Sequence, residues 1–101
     1  MTEIPSVDLG NGAAMPMLGF GTWQLQGELA YEATRHALLI GYRHIDTATM
    51  YRNEEQVGRA IADSGVDRAE LFVTTKLPPG NAGRARTTIA ESLKALGTDY
   101  V

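Results

Sequence analysis

The residues best suited to chemistry are Asp46, Tyr51 and Lys76, which follow short apolar stretches. A tyrosine hydroxyl is a poor acid, with an ordinary pKa of about 10. A nearby ammonium group favours the phenolate and lowers that pKa. A carboxylate paired with the lysine would fix the ammonium within a cleft. Such a trio could protonate a carbonyl oxygen while a cofactor delivers hydride to the carbon, and general acid catalysis contributes about 10²–10⁴-fold.

Each of the three residues also has a structural interpretation. Asp46 could cap the turn after its strand, Tyr51 could be a packing or surface tyrosine, and Lys76 could simply reach solvent. Taken singly, each residue type is more often structural at such a position. Their placement after successive apolar stretches is what makes them candidates as a group.

The elements that would position these side chains form a repeating pattern. Residues 18–23, 43–47 and 70–76 have the apolar and β-branched character of strands, and residues 100–101 could open a fourth. Helices are predicted over about 27–40, from Asn53 to 64, and over about 84–96. Strand starts therefore recur roughly every 26–28 residues with one helix between them, which is typical of parallel βαβ units.

Helix boundaries and faces follow from local signals. Gly41 and Gly97 are placed to end the first and third helices. Asn53 is placed to cap the second helix, with Gln56 completing a capping box. The apolar faces are predicted to comprise Ala30, Ala33, Ala37 and Ile40 in the first helix, Val57, Ala60 and Ile61 in the second, and Ile89, Leu93 and Leu96 in the third.

Before the first unit, Asn11-Gly12 separates two short apolar pieces, which predicts a β-hairpin. Two architectures suit the units that follow: a (β/α)₈ barrel and an open doubly wound sheet. Polar residues end every predicted strand (Thr22-Trp23, Asp46-Thr47 and Thr75-Lys76), as a barrel site requires. Gly19 and Gly21 begin a dinucleotide-binding motif, but Gln24 stands where its third glycine belongs. The barrel is therefore favoured, with the open sheet as the alternative.

The composition excludes several classes of site and partner. The net charge of −3, with nine scattered Lys and Arg residues, argues against a nucleic-acid surface. No cysteine is present, so disulfides and thiolate metal sites are impossible, and we expect a cytoplasmic protein. No apolar stretch is long enough to cross a bilayer. His36 is predicted on a solvated helix face, and neither it nor His44 has a second metal ligand at a useful spacing.

Residues 41–54 (GYRHIDTATMYRNE) resemble the signature segment of the aldo-keto reductase family. Residues 18–23 (LGFGTW), 72–77 (FVTTKL) and 96–101 (LGTDYV) are also similar to segments of that family. The resemblance covers nearly the whole chain and is greatest to bacterial diketogluconate-reductase-like members. It implies that residues 1–101 are the N-terminal portion of a (β/α)₈ barrel: a bottom hairpin (1–17), three βα units and the start of the fourth strand (18–101).

The resemblance also implies roles for individual residues. Tyr51 would be the general acid, Lys76 would lower its pKa, and Asp46 would hold Lys76 and contact the nicotinamide ribose. Thr22 and Trp23 would lie beside the nicotinamide. Trp23 and Met50 would line the substrate pocket with Tyr51, while His44 would be structural. Without the family, packing at the barrel mouth is an equal alternative for Trp23.

The expected activity is NADPH-dependent reduction of aldehydes or ketones, with NADH not excluded. The family's catalytic histidine on the fourth strand and its clamp for the adenosine phosphate would lie beyond residue 101. Two alternatives therefore remain: a non-catalytic barrel, and an incomplete unit with no activity of its own. The complete protein is expected to be monomeric. The 101-residue chain is expected to self-associate through a barrel-interior face that includes Phe20, Ile45 and Phe72.

Overall fold

The computed structural model describes residues 3–101 as a hairpin followed by three strand–helix units. The strands are β1 (Ser6–Asp8), β2 (Ala14–Pro16), β3 (Phe20–Gly21), β4 (His44–Asp46) and β5 (Phe72–Thr74). The helices are α1 (Gly27–Ile40), α2 (Glu54–Asp63) and α3 (Ala85–Leu96). Met1 and Thr2, which belong to the predicted hairpin region, lie outside the described residues.

The hairpin is an antiparallel pair in which Ser6 lies opposite Pro16. Its turn uses Gly10 and Gly12, whose φ angles of 96° and 87° lie in the left-handed region that glycine tolerates. The predicted hairpin is thus present. The Pro16 carbonyl oxygen lies 3.1 Å from Nδ1 of His44, so the hairpin contacts the first residue of β4.

The three-stranded sheet is parallel, in the order β3-β4-β5. Its strands follow one another in sequence order, and the described part of the chain contains no reversal of that order. One core cluster joins the sheet to all three helices; its buried members are Leu38, Ile45, Val57, Leu71, Val73 and Leu96. Helices on a single face are typical of a barrel wall, whereas a doubly wound sheet carries helices on both faces.

The strand faces differ in part from those predicted. Phe20, Ile45 and Val73 are register partners and therefore point to the same side. Ile45 has no exposed surface and Phe20 packs against the core cluster, so this side faces the helices. The prediction that Phe20 and Ile45 line the open face is wrong. Phe72 pairs with His44 on the other side, with ring centroids 5.0 Å apart.

The helix boundaries agree closely with the predicted ones. α1 has the predicted bounds and ends at Gly41, whose φ of 119° lets its N–H approach the carbonyl oxygens of Ala37 and Leu38. A side chain at that φ would be strained, which explains the glycine. α2 starts after Asn53 as predicted, but the Asn53 side chain does not cap it and no capping box forms.

Two apolar residues assigned to the core face of a helix are exposed instead. In α1, Leu38 is 1% exposed and Ile40 is 42% exposed, because the buried stripe runs through positions 30, 34, 37 and 38. In α3, Ile89 is 40% exposed. The buried positions of that helix are Thr88, Ser92 and Leu96, so its inward face is largely polar.

Residues 97–101 lie against the turn that precedes β5 (Arg68–Glu70) through Arg68. The Arg68 guanidinium lies 4.0 Å from the centre of the Tyr100 ring and donates to the Tyr100 carbonyl oxygen at 2.7 Å. Residues 100–101 form no strand in this structure, so the predicted opening of a fourth strand stays a prediction. None of the helices within residues 3–101 is long and apolar enough to span a membrane.

Candidate active site

Asp46, Tyr51 and Lys76 meet at the carboxyl end of the parallel sheet. Asp46 is the last residue of β4, Tyr51 ends a 3₁₀ turn (Thr49–Tyr51), and Lys76 follows β5 by two residues. The Lys76 ammonium forms an ion pair with Oδ1 of Asp46. It also donates to the Thr47 carbonyl oxygen at 2.9 Å and lies 3.5 Å from Oη of Tyr51.

The electrostatics of this group centre on Lys76. Burial on its own lowers the pKa of the Lys76 ammonium. The hydrogen bond and the charge of Asp46, followed by contact with Tyr51, outweigh burial and leave that pKa above its ordinary value of 10.5. Lys76 is therefore a cation at neutral pH. About 40% of each side chain in the ion pair is exposed, so the pair stands at an edge that a small ligand can reach.

The turn that carries Tyr51 is fixed at several points. The Thr49 N–H donates to the Lys76 carbonyl oxygen at 3.2 Å, which ties the turn directly to the residue beside β5. The Gln26 side chain donates to the Tyr51 carbonyl oxygen at 2.9 Å. Arg52 ends the turn with a φ of 58°, a left-handed conformation that residues other than glycine rarely adopt. The position of Tyr51 thus depends on both neighbouring strand–helix units.

Thr22 lies beneath the candidate site rather than on its surface. It has no exposed surface, and its hydroxyl donates to the Thr47 hydroxyl at 2.9 Å. The Thr47 hydroxyl in turn donates to Oδ1 of Asn53 at 3.0 Å. A cofactor contact by the Thr22 side chain would need this network to open, and that predicted contact stays a prediction.

Asn53 is the hub of this buried network. Its amide donates to the carbonyl oxygens of Thr22 at 2.8 Å and Leu25 at 2.9 Å. These bonds join the segment after β3 to the start of α2. The side chain predicted to cap a helix therefore connects loops below the site. Asn53 and the adjacent Glu54 are buried polar residues that the sequence interpretation did not assign to the site. Only their position two and three residues after Tyr51 could have suggested one.

Trp23 and Met50 are exposed apolar side chains next to residues of the site. Trp23 is 67% exposed and follows Thr22, whose N–H donates to the Asp46 carbonyl oxygen at 3.0 Å. Met50 is 54% exposed and precedes Tyr51. Both side chains are accessible to a ligand. Their predicted contacts with nicotinamide and substrate stay predictions.

A cleft of about 370 Å³ adjoins Lys76 between the end of β5 and α3. Its lining includes Thr75, Lys76 and Ile89 but none of Asp46, Tyr51 and Trp23. Across residues 3–101, no three His, Asp or Glu side chains are grouped to hold a metal ion. His44 lies 3.2 Å from the Thr74 hydroxyl through Nε2, in addition to its contact with the hairpin. Its contacts are therefore structural.

Comparison with known proteins places this geometry in a family. Residues 17–101 match the model of the aldo/keto reductase family. The chain is 54% identical over 95 residues to glycerol 2-dehydrogenase (NADP(+)) of Saccharomyces cerevisiae, with 94% of this chain and 30% of that protein covered. It is 46% identical over 95 residues to methylglyoxal reductase DkgA of Escherichia coli, with 94% of this chain and 34% of that protein covered.

The fold agrees with solved relatives as well. The crystal structure of an aldo/keto reductase from Brucella melitensis superposes with a TM-score of 0.92 at 48% identity, with 98% of this chain and 40% of that chain covered. The chain spans about a third of the length of the relatives that it matches. The predicted fold, an N-terminal portion of the (β/α)₈ barrel, is confirmed. The chain belongs to the aldo/keto reductase family.

Proposed function

We propose that this chain supplies the proton-donating group of an NADPH-dependent reductase of aldehydes and ketones. One observation carries the proposal: the Lys76 ammonium lies 3.5 Å from the Tyr51 hydroxyl while paired with the Asp46 carboxylate. The names of the relatives support the reaction class, because one is an NADP(+)-dependent dehydrogenase and another a methylglyoxal reductase. The alternative cofactor is NADH, and comparing the activity with each of the two cofactors would distinguish it from NADPH.

The residues present fit a nicotinamide cofactor in part. Oδ1 of Asp46 is taken by Lys76, but the side chain is 42% exposed, so Oδ2 could accept from a ribose hydroxyl. The exposed Trp23 ring could lie against the nicotinamide or the substrate. Thr22 is buried, so its side chain is less able to contact a cofactor. When bound, the reduced cofactor supplies the hydride for the carbonyl carbon.

The protein's own contribution is the proton. Tyr51 Oη–H donates to the substrate carbonyl oxygen, and its proton transfers as that oxygen gains negative charge. The Lys76 ammonium stabilises the charge left on the Tyr51 oxygen, since it donates to the same atom. Asp46 holds the ammonium in place. The carbonyl thereby gains one hydrogen on carbon and one on oxygen, and the product is an alcohol.

A second candidate has its own observation. The chain spans only about a third of its relatives, so residues 1–101 alone could be a structural unit without catalysis. In the first candidate the complete protein containing this chain is an active reductase, and in the second residues 1–101 alone have no activity. In both, we place the protein in the cytoplasm, a location that agrees with the absence of cysteine.

The test compares Tyr51→Phe with a matched control, Tyr42→Phe, whose ring packs edge-on against Phe20. Each variant is placed in the chain alone and in a chimera where this chain replaces the matching third of the E. coli methylglyoxal reductase. NADPH consumption with an aldehyde is measured. We expect the chimera to be active, Tyr51→Phe to lose about 10²–10⁴-fold in kcat, and Tyr42→Phe to keep its activity. An active Tyr51→Phe chimera would contradict the assignment of the acid.

A further inference from the structure

Glu54 is a buried carboxylate directly after the candidate site. It is the first residue of α2 and 8% exposed. The ion pairs within residues 3–101 are Arg59–Glu28 and Lys76–Asp46, so Glu54 has no cationic partner there. Burying a carboxylate is costly unless hydrogen bonds compensate for the lost water. The compensation must come from neutral groups and from the N-terminus of α2.

Two hydroxyl groups compensate, and they come from different elements. Thr75 Oγ1 donates to Oε2 of Glu54 at 2.6 Å. Ser92 Oγ, on the inward face of α3, donates to Oε1 at 3.1 Å. Thr75 precedes Lys76 in the chain, so the first bond fixes the backbone next to the ammonium-bearing residue.

The second bond leads to Tyr51. Ser92 Oγ also lies 3.1 Å from Oγ1 of Thr49, the first residue of the 3₁₀ turn that Tyr51 ends. A carboxylate only accepts, and a serine has a single hydroxyl hydrogen, which Ser92 gives to Glu54. Thr49 must therefore be the donor to Ser92. The direction of every bond in the chain Thr49–Ser92–Glu54–Thr75 is set by the carboxylate.

We propose that Glu54 is a positioning residue, whose carboxylate sets the separation between the Tyr51 hydroxyl and the Lys76 ammonium. Its two oxygens hold the turn that carries Tyr51 and the segment that carries Lys76. The backbone bond from Thr49 N–H to the Lys76 carbonyl oxygen, at 3.2 Å, lies between the same two segments. The importance of that separation for catalysis rests on the proposed function.

The variants are Glu54→Gln, Thr75→Val and Ser92→Ala, with Glu55→Gln as the control. Glutamine keeps the shape of Glu54 but offers one acceptor oxygen where the two hydroxyls need two. Glu55 lies in the same helical turn and is exposed. Thr75→Val and Ser92→Ala each remove one hydroxyl and retain Glu54, so they decide the matter if Glu54→Gln does not fold.

Two measurements separate a positioning role from simple stabilisation. The first is the pKa of Lys76 in the 101-residue chain, followed by NMR at Nζ, which faces Asp46 and Tyr51. We expect it to fall in Glu54→Gln and Thr75→Val and to stay unchanged in Glu55→Gln. The second is steady-state reduction by the chimera, where we expect kcat to fall about 10–100-fold. The KM for NADPH should stay within about twofold, because only positioning of the acid is lost.

Folded Glu54→Gln, Thr75→Val and Ser92→Ala variants with an unchanged Lys76 pKa and unchanged kcat would overturn the proposal. A fall in thermal stability alone, with both readouts constant, would also overturn it. If the wild-type chimera reduces no carbonyl compound, the proposed function fails. The Lys76 measurement in the chain still decides whether Glu54 positions that ammonium.

Discussion

At the scale of single residues, Lys76 owes most of its raised pKa to Asp46, and removing that carboxylate leaves burial opposed by Tyr51 alone. In Asp46→Asn, we expect the pKa of Lys76 to fall, because the strongest influence that raises it is lost while burial remains. An NMR titration of the Lys76 side chain measures it. Glu55→Asn, a change at an exposed carboxylate, is the control. An unmoved Lys76 pKa in Asp46→Asn would contradict the electrostatic account.

The same pKa shift determines how the ion pair responds to pH. A group whose pKa is higher in the folded than in the unfolded state stabilises the fold below its unfolded pKa. That stabilisation is lost as pH rises through the folded pKa. The Lys76–Asp46 pair should therefore be intact at neutral pH and weaken above about pH 10.5. Because both side chains are substantially exposed, solvent screening keeps the contribution small.

Asn53 should matter more to stability than any exposed residue of the site. Asn53→Ala leaves the buried Thr22 carbonyl oxygen and the partly buried Leu25 carbonyl oxygen without the amide donor, at a cost of about 1–3 kcal/mol in the free energy of unfolding. Urea denaturation measures this. Asn81→Ala is the control, since Asn81 makes one side-chain bond, to Thr88 at 3.2 Å. Equal losses in the two variants would argue against the hub role of Asn53.

At this scale the sequence predicted the grouping of Asp46, Tyr51 and Lys76 but not the buried hydrogen-bond network of Asn53 beneath it. Asp46, Tyr51 and Lys76 were predictable because each lies at the end of a strand or shortly after one in a repeating unit, and such strand ends meet at one edge. Asn53 looked like a helix cap because that is its position along the chain. The partners of its amide nitrogen, Thr22 and Leu25, are about 30 residues away, and no local pattern encodes a contact at that separation.

At the scale of elements, α2 and α3 approach so closely at Gly58 that a side chain does not fit. A Cβ there would lie 2.6 Å from the Leu96 carbonyl oxygen and 2.7 Å from that of Ala95. Both atoms belong to a helix backbone and cannot move alone. We expect Gly58→Ala to lower the free energy of unfolding by about 1–3 kcal/mol, despite the better helix propensity of alanine.

Gly80→Ala is the matched control for this prediction. A Cβ at Gly80 would have nothing within 4 Å, and its φ is not in the left-handed region. Alanine there should leave stability unchanged or raise it slightly, because it restricts the unfolded chain. Urea denaturation of both variants provides the comparison. If Gly58→Ala were as stable as Gly80→Ala, the close packing of α2 and α3 would not constrain the fold.

Element types and helix ends were more predictable than element faces. Gly41 and Gly97 mark the ends of α1 and α3 because both adopt positive φ. The strands contain two or three paired residues each, too few for alternation to show which side is buried, and so Ile45 was assigned to the wrong face. In α3, the inward face was misassigned because two of its buried residues, Thr88 and Ser92, are polar, whereas the prediction relied on apolar residues.

At the scale of the whole molecule, self-association of the 101-residue chain stays a prediction, but a different surface is now expected to drive it. Ile45 is fully buried and Phe20 is partly buried against the core cluster, on the helix side of the sheet, so they do not drive it. Leu77, Ile89 and Val101 are exposed and line the cleft beside β5, whose outer edge is unpaired within residues 3–101. We expect sedimentation velocity to show concentration-dependent association.

Ile89→Lys tests the surface responsible, because it places a charge in that cleft. We expect it to shift the sedimentation distribution toward monomer. Leu39→Lys is the control, since Leu39 is 78% exposed on α1 and does not line the cleft. A wild-type chain that sediments as a monomer at every concentration would show that this surface does not drive association.

The wide sequence separation of the site's partners sets the order in which a growing chain can complete it. Lys76 is 30 residues after Asp46 and 25 after Tyr51. Translation releases the N-terminal side first, so Asp46 and Tyr51 leave the ribosome before their shared cation exists. The entropy of closing such a loop must then be overcome before the ion pair forms. The hairpin and α1 can form earlier, but the Lys76–Asp46 ion pair can form only after β5 and Lys76 have been synthesised.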